Sequence, residues 1–181
     1  IAIKIFFILI GMIIYMTCTS LSNTAAPLST APSVNLSSTP SYADIQSIVA
    51  DDFEIMDKQV FGSLNSKVQL VMSVSQHVIN AGGKRMRPLI TLLCARMLND
   101  EPSEQAMHLA AITEMLHTAT LVHDDVIDES GQRRGKPTAN ATWDNATAVL
   151  VGDYLIARAF NLLVGFQSLP LLQVFSDGTC D

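Results

Sequence analysis

From Pro102 to about Glu129 the chain reads as one long helix whose apolar residues cover most of its circumference: Met107, Ala110, Ala111, Met115, Leu116, Ala119, Val122 and Val126. A helix apolar nearly all round has to be enclosed, so it predicts a central element with other helices packed about it. Its last two turns nevertheless carry HDDVIDE at 123–129, four carboxylates at the end of the helix where the macrodipole is negative. Each works against that dipole by about 0.3–1 kcal/mol, and neighbouring like charges repel as well. The local sequence is electrostatically frustrated unless a cation sits there.

The flanking segments repeat the helical period. Ser41 with Asp44 forms a capping-box pattern ahead of Ile45, Ile48, Val49, Phe53, Ile55, Met56 and Val60, and Gly62 to Asn65 marks a break. A second helix is predicted over about 66–80 and stops at Asn80-Ala81-Gly82-Gly83. Pro88 falls in the first turn of a third, which continues from Leu89 to Leu98 and ends at Asn99-Asp100. Residues 130–137 (SGQRRGKP) read as a loop, 139–165 as helical, and Pro170 opens a last helix. With no repeat of fixed period and no strand pattern, the fold class is all-α, a helical bundle.

Composition restricts the setting. At 49% hydrophobic over 181 residues the chain is no disordered tail, and a net charge of −6 excludes a nucleic-acid-coating protein. Residues 1–41 contain a single charged side chain, Lys4, which leaves residues 42–181 at −7. Within 1–41, residues 5–16 are an apolar run too short to span a bilayer, and 17–41 are an uncharged Ser/Thr/Ala/Pro stretch that predicts a flexible leader. Three readings of the apolar run stay open: sequence upstream of a start at Met12 or Met16, a signal or anchor, or a structural helix. Cys18, Cys94 and Cys180 stand in no metal or disulfide spacing, which points to a reducing, cytoplasmic compartment. The chain opens on Ile1 and closes inside an apolar helical pattern, so it is expected to be a fragment.

Against this acidic background six cations stand in two clusters, Lys84-Arg85-x-Arg87 and Arg133-Arg134-x-Lys136. The Gly82-Gly83 pair permits unusual backbone angles, and the cations supply charge and forked donors that match phosphate oxygens. At 100° per residue, His117, Leu121, Asp124 and Asp128 share one helix face, with Asp125 one step round and Asp124 and Asp128 about 6 Å apart along the axis. Asp oxygens so placed suit Mg²⁺, which takes one or two carboxylates and completes its shell with water and phosphate. Two cationic clusters flanking one carboxylate cluster thus predict two diphosphates, one bridged by metal and one held directly by Lys and Arg.

GGKRMRP at 82–88, HTATLVHDDVIDES at 117–130, RRGKPTAN at 133–140 and LVGDYLIARAF at 150–160 resemble the trans-isoprenyl diphosphate synthases, most closely the bacterial octaprenyl class, over about residues 43–181. The resemblance implies an all-α bundle around a central cavity and head-to-tail transfer between isopentenyl diphosphate and an allylic prenyl diphosphate, in a homodimer. Carried over position by position, it makes Lys84, Arg87, His117 and Arg134 the site of the isopentenyl diphosphate group. Asp124 and Asp128 become Mg²⁺ ligands, Arg133 a contact to the allylic diphosphate, and Asp125 the middle acid of the motif, so that Asp124, Asp125, Asp128 and Arg133 carry the catalysis. Arg85 and Lys136 contribute field.

In this family bulky residues just upstream of the first aspartate motif close the product tunnel. The small Ala119 and Thr120 there imply a medium-to-long product, destined for a quinone side chain. The family also has a second aspartate-rich motif on a later helix, which this chain does not reach, so residues 1–181 alone are expected to turn over negligibly. Two alternatives remain. A class I terpene synthase also uses DDxxD with Mg²⁺, although GGKRMRP serves a second diphosphate that a cyclase lacks, and a non-catalytic subunit or truncated pseudo-enzyme is the rival that is not an enzyme.

Overall fold

A computed structural model describes residues 39–64, 66–98 and 104–180. The apolar run, the start codons and almost all of the expected leader lie outside these residues, as do Cys18 and the predicted helix stop at Asn99-Asp100. Among the described residues the fold is all-α: α1 (Tyr42–Ser47), α2 (Ala50–Ser63), α3 (Gln69–Ile79), α4 (Met86–Leu98), α5 (Glu104–Ile127), α6 (Ala139–Thr142), α7 (Asn145–Val164) and α8 (Leu169–Cys180). One short antiparallel pair, β1 (Gln132–Arg133) and β2 (Lys136–Pro137), interrupts it.

The long helix α5 is central. Its buried residues include Leu109, Ile112, Met115 and Ala119 on successive sides, and α2, α4 and α7 all pack on it. α2 contributes Phe53, Met56 and Val60 to the common core, and α7 contributes a stripe at Ala148, Val151, Leu155 and Ala159. α7 is long and apolar enough to cross a membrane by length and composition, but this stripe lies against α5. At Gly152 a β-carbon would overlap the His123 imidazole, so the glycine leaves room for that ring between α5 and α7.

Ser41 caps α1 with the reciprocal Asp44 contacts that its sequence pattern predicts. Three expectations are corrected. The single helix predicted from Ser41 through Val60 is two, interrupted at a wholly buried Val49 with φ −120° and ψ 22°. The helix predicted over 139–165 breaks at Trp143, where the Asp144 side chain accepts from the Thr147 N–H at 2.6 Å and starts α7. The loop predicted over 130–137 contains the β1–β2 hairpin, whose two-residue turn, Arg134-Gly135, has φ of +54° and +75°, the type I′ signature.

Candidate functional site

α3 ends at Asn80, and the chain passes through Gly82 at φ +78° and Arg85 at φ +45° into α4. A left-handed Arg costs about 1 kcal/mol, and it is held there because its guanidinium pairs with Asp57 of α2. The Tyr42 hydroxyl donates to the Lys84 carbonyl, which ties α1 to the same turn. A β-carbon on Gly83 would overlap the Arg134 guanidinium, which lies against it. The two cationic clusters, fifty residues apart in sequence, therefore meet at a glycine.

The end of α5 is built as carefully. Ser130 N–H reaches back to the Asp125 carbonyl at 2.9 Å and Glu129 N–H to that of Val126 at 3.3 Å, with Glu129 at φ +51°. These are the two bonds of a Schellman motif, with Glu129 where glycine is usual. The hairpin that follows is fastened on two sides. Arg133 forks onto Asp125, with Nε at 2.9 and 3.0 Å from the two carboxylate oxygens and a second nitrogen at 2.8 Å. On the other side Lys136 donates to the Asn80 carbonyl at 2.8 Å and His77 Nε2 lies 2.9 Å from the Pro137 carbonyl, so β2 docks on the C-terminal end of α3. Lys136 thus holds the hairpin to the bundle, where the sequence assigned it a field alone.

These elements line an open cavity of about 530 Å³. Lys84, Arg85, Arg87, Arg133 and Arg134 all line it, together with Glu114, His117 and Asp125 of α5. Among the described residues Arg87 Nε and His117 Nδ1 are buried without a hydrogen-bond partner, which leaves two polar nitrogens free to bond a ligand. Burial, then the charges of Arg87, Arg134 and Arg133, push the His117 imidazole down to about 4, so it is neutral near pH 7. The Asp125 hydrogen bond raises Arg133. A site with this much positive charge and unspent N–H capacity is suited to a multivalent oxyanion such as a diphosphate.

The acids divide. The cavity wall of α5 runs Glu114, His117, Thr118, Leu121, Val122, Asp125, a stripe at helical spacing that ends on Asp125 rather than on Asp124 or Asp128. Asp125 is buried and committed to Arg133, whereas Asp124 is half-buried, Asp128 is exposed, and neither side chain has a hydrogen bond or ion pair among the described residues. The Asp128 N–H donates to the Asp124 carbonyl at 2.8 Å, which keeps the two one helical turn apart on one face, as predicted. Among the described residues no three His, Cys, Asp or Glu side chains are grouped to cage a metal. Two free hard-oxygen donors one turn apart fit Mg²⁺ that draws its remaining ligands from phosphate and water. Ala119 is wholly buried and Thr120 half-buried, with its hydroxyl donating to the His117 carbonyl at 2.8 Å, and neither lines the cavity.

Glu114 is a charged cavity residue that the sequence motifs did not single out. Its signal was there, an acid in the middle of an otherwise apolar stretch of helix and one turn before His117.

A sequence profile of the family described as Polyprenyl synthetase matches residues 68–181. An all-trans-nonaprenyl-diphosphate synthase (geranyl-diphosphate specific) of Rhodobacter capsulatus is 62% identical over 138 residues, 76% of this chain and 42% of that protein. Octaprenyl diphosphate synthase of Escherichia coli K12 is 44% identical over 133 residues, 74% of this chain and 41% of that protein. Among solved structures, a decaprenyl diphosphate synthase from Rhodobacter capsulatus superposes with a TM-score of 0.72 at 40% identity, covering 77% of this chain and 43% of that one. A polyprenyl synthase from Caulobacter crescentus CB15, complexed with calcium and isoprenyl diphosphate, also superposes at 0.72, with 38% identity over 77% of this chain and 42% of that one. The chain spans about two-fifths of the length of these relatives.

Proposed function

The chain belongs to the polyprenyl synthetase family, and from that membership we propose that residues 42–181 form the N-terminal part of a catalytic domain for Mg²⁺-dependent head-to-tail prenyl transfer. Isopentenyl diphosphate is added to an allylic prenyl diphosphate to give a medium-to-long all-trans polyprenyl diphosphate. The observation that carries this reading is the convergence of five cations with the unpartnered Arg87 Nε and His117 Nδ1 on one cavity. A cyclase, with one diphosphate to ionise, has no use for that convergence.

In this reading Lys84, Arg87, His117 and Arg134 bind the diphosphate of isopentenyl diphosphate. His117 takes part as a neutral imidazole, so it supplies hydrogen bonding without titrating near neutrality. Arg133, aimed by its fork on Asp125, contacts the allylic diphosphate, and its charge favours the departing diphosphate as the carbon–oxygen bond breaks. Asp124 and Asp128 hold Mg²⁺, which when bound neutralises charge on that leaving group. The isopentenyl double bond then attacks the allylic carbon, and loss of a proton restores an alkene. No protein nucleophile is needed.

The Caulobacter crescentus structure, complexed with calcium and isoprenyl diphosphate, supports a divalent cation and a prenyl diphosphate as ligands of this fold. The names of the octaprenyl and nonaprenyl relatives, with small Ala119 and Thr120 before the aspartates, support an octaprenyl-class product. A quinone side chain as its destination, a cytoplasmic setting and a homodimer complete the proposal.

Calorimetric titration of the 181-residue chain with isopentenyl diphosphate tests it. Binding without Mg²⁺ is expected, with a loss of about tenfold or more on Arg87→Ala or Arg134→Ala. Absence of binding, or binding untouched by both substitutions, would sink the reading.

A further inference from the structure

Two carboxylates line the cationic cavity, Asp125 and Glu114. Asp125 is neutralised by the Arg133 fork. No hydrogen bond or ion pair engages the Glu114 side chain among the described residues. The charged and titratable groups about it come from every element that closes the site: Lys84, Arg85 and Arg87 from the α3–α4 turn and α4, Arg133 and Arg134 from the hairpin, Asp57 from α2, and His117 and Asp125 from its own helix. A bare carboxylate in an anion-binding cavity repels the ligand unless it surrenders its charge.

Resting on the reading of this cavity as a diphosphate site, we propose that Glu114 is the counter-ion of the arginine cluster while no diphosphate is bound and the proton acceptor once one is. The incoming anion takes over Arg87 and Arg134. A proton from solvent then adds to a Glu114 carboxylate oxygen, giving the neutral acid. The arginine cluster thereby faces an anionic group in both states, Glu114 before the ligand arrives and the ligand afterwards.

His117 is the competing acceptor, and burial separates the two. Burial is the largest influence on both groups, and it favours the neutral form of each. For Glu114 the neutral form is the protonated one, and only the charges of Arg85, Arg87 and Arg134 oppose it. For His117 the neutral form is the deprotonated one. Neutralising the arginines with an anion therefore leaves burial to protonate Glu114 and to keep the imidazole neutral.

The test is titration of the 181-residue chain with inorganic pyrophosphate, without metal, in buffers of different ionisation enthalpy, which counts protons exchanged. Comparison with Glu114→Gln cancels the protonation changes of pyrophosphate itself. The wild type is expected to take up close to one proton more than Glu114→Gln near pH 7. The variant should bind pyrophosphate more tightly, by about tenfold at pH 8, since a like charge has been removed. His117→Gln, even where it binds more weakly, should keep the same proton count per pyrophosphate bound. Equal proton counts in wild type and Glu114→Gln, or weaker binding by the variant, overturn the proposal while the diphosphate reading stands. Failure of the wild type to bind pyrophosphate overturns both. Should Glu114→Gln not fold, carbon-13 titration of the wild-type Glu114 carboxyl is expected to show its midpoint rising in saturating pyrophosphate, and an unmoved midpoint overturns the proposal.

Discussion

At the scale of single residues, His117 and Gly83 show how the site depends on exclusion. The imidazole titrates at about 4, below its ordinary 6.5, because burial and three arginines oppose its charge. Between those two values the unfolded chain binds the proton and the folded chain does not, so the stability contributed by neutral His117 is present above about 6.5 and is lost as pH falls towards 4. His117→Gln should flatten that acid limb in thermal melts from pH 7 to 4, and an unchanged limb would assign it to other groups. Gly83→Ala should leave the fold intact, with stability changed by less than about 1 kcal/mol, because Arg134 has a flexible end that can swing away. That swing should cost pyrophosphate affinity, which calorimetry reads directly. That Lys84, Arg87, His117 and Arg134 were candidates to share a cavity was legible in the sequence, because each sits in a short charged or polar motif. Glu114 was not, because a lone acid inside an apolar helix acquires meaning only when three arginines from other elements close over it.

At the scale of elements, the exit from α5 carries an avoidable cost. Glu129 occupies the left-handed position of the Schellman motif, so Glu129→Gly should stabilise the chain by about 0.5–1 kcal/mol in denaturant melts. Where α5 crosses α7 the opposite holds. Gly152→Ala would drive a methyl into the His123 ring, which lies between the helices with Nε2 at 3.2 Å from the Val149 carbonyl. The ring has to give up its contact with that carbonyl and turn outward, so a loss of about 1 kcal/mol is expected, measured the same way. Helix starts at Ser41 and stops near Asn80 were readable because caps and glycines announce them locally. The break at Val49 has no glycine or proline to mark it, and β1 and β2 are two residues each, too short for alternation to show.

Across the whole molecule, α5 organises everything else, and the peripheral helices are tied to one another as well as to it. Asp52 of α2, 4% exposed, receives a fork from Arg96 of α4 at 2.6 and 3.1 Å. Asp52→Ala strands part of a buried charge pair and should cost about 3 kcal/mol, read as a lowered denaturation midpoint, whereas a loss under 1 kcal/mol would show the pair to be well solvated. By itself the sequence determined the all-α class, the central helix, the two cationic clusters and the placing of Asp124 and Asp128 on one face, because periodicity, caps and charge are properties of neighbouring residues. Only the tertiary structure decided that Gly83 receives Arg134, that Asp125 is spent on Arg133, that Lys136 fastens the hairpin to α3, and that Glu114 belongs to the cavity. Those are contacts across as many as fifty-six residues of chain, made when separate helix ends converge on α5, and no local pattern encodes which side chain will stand opposite another.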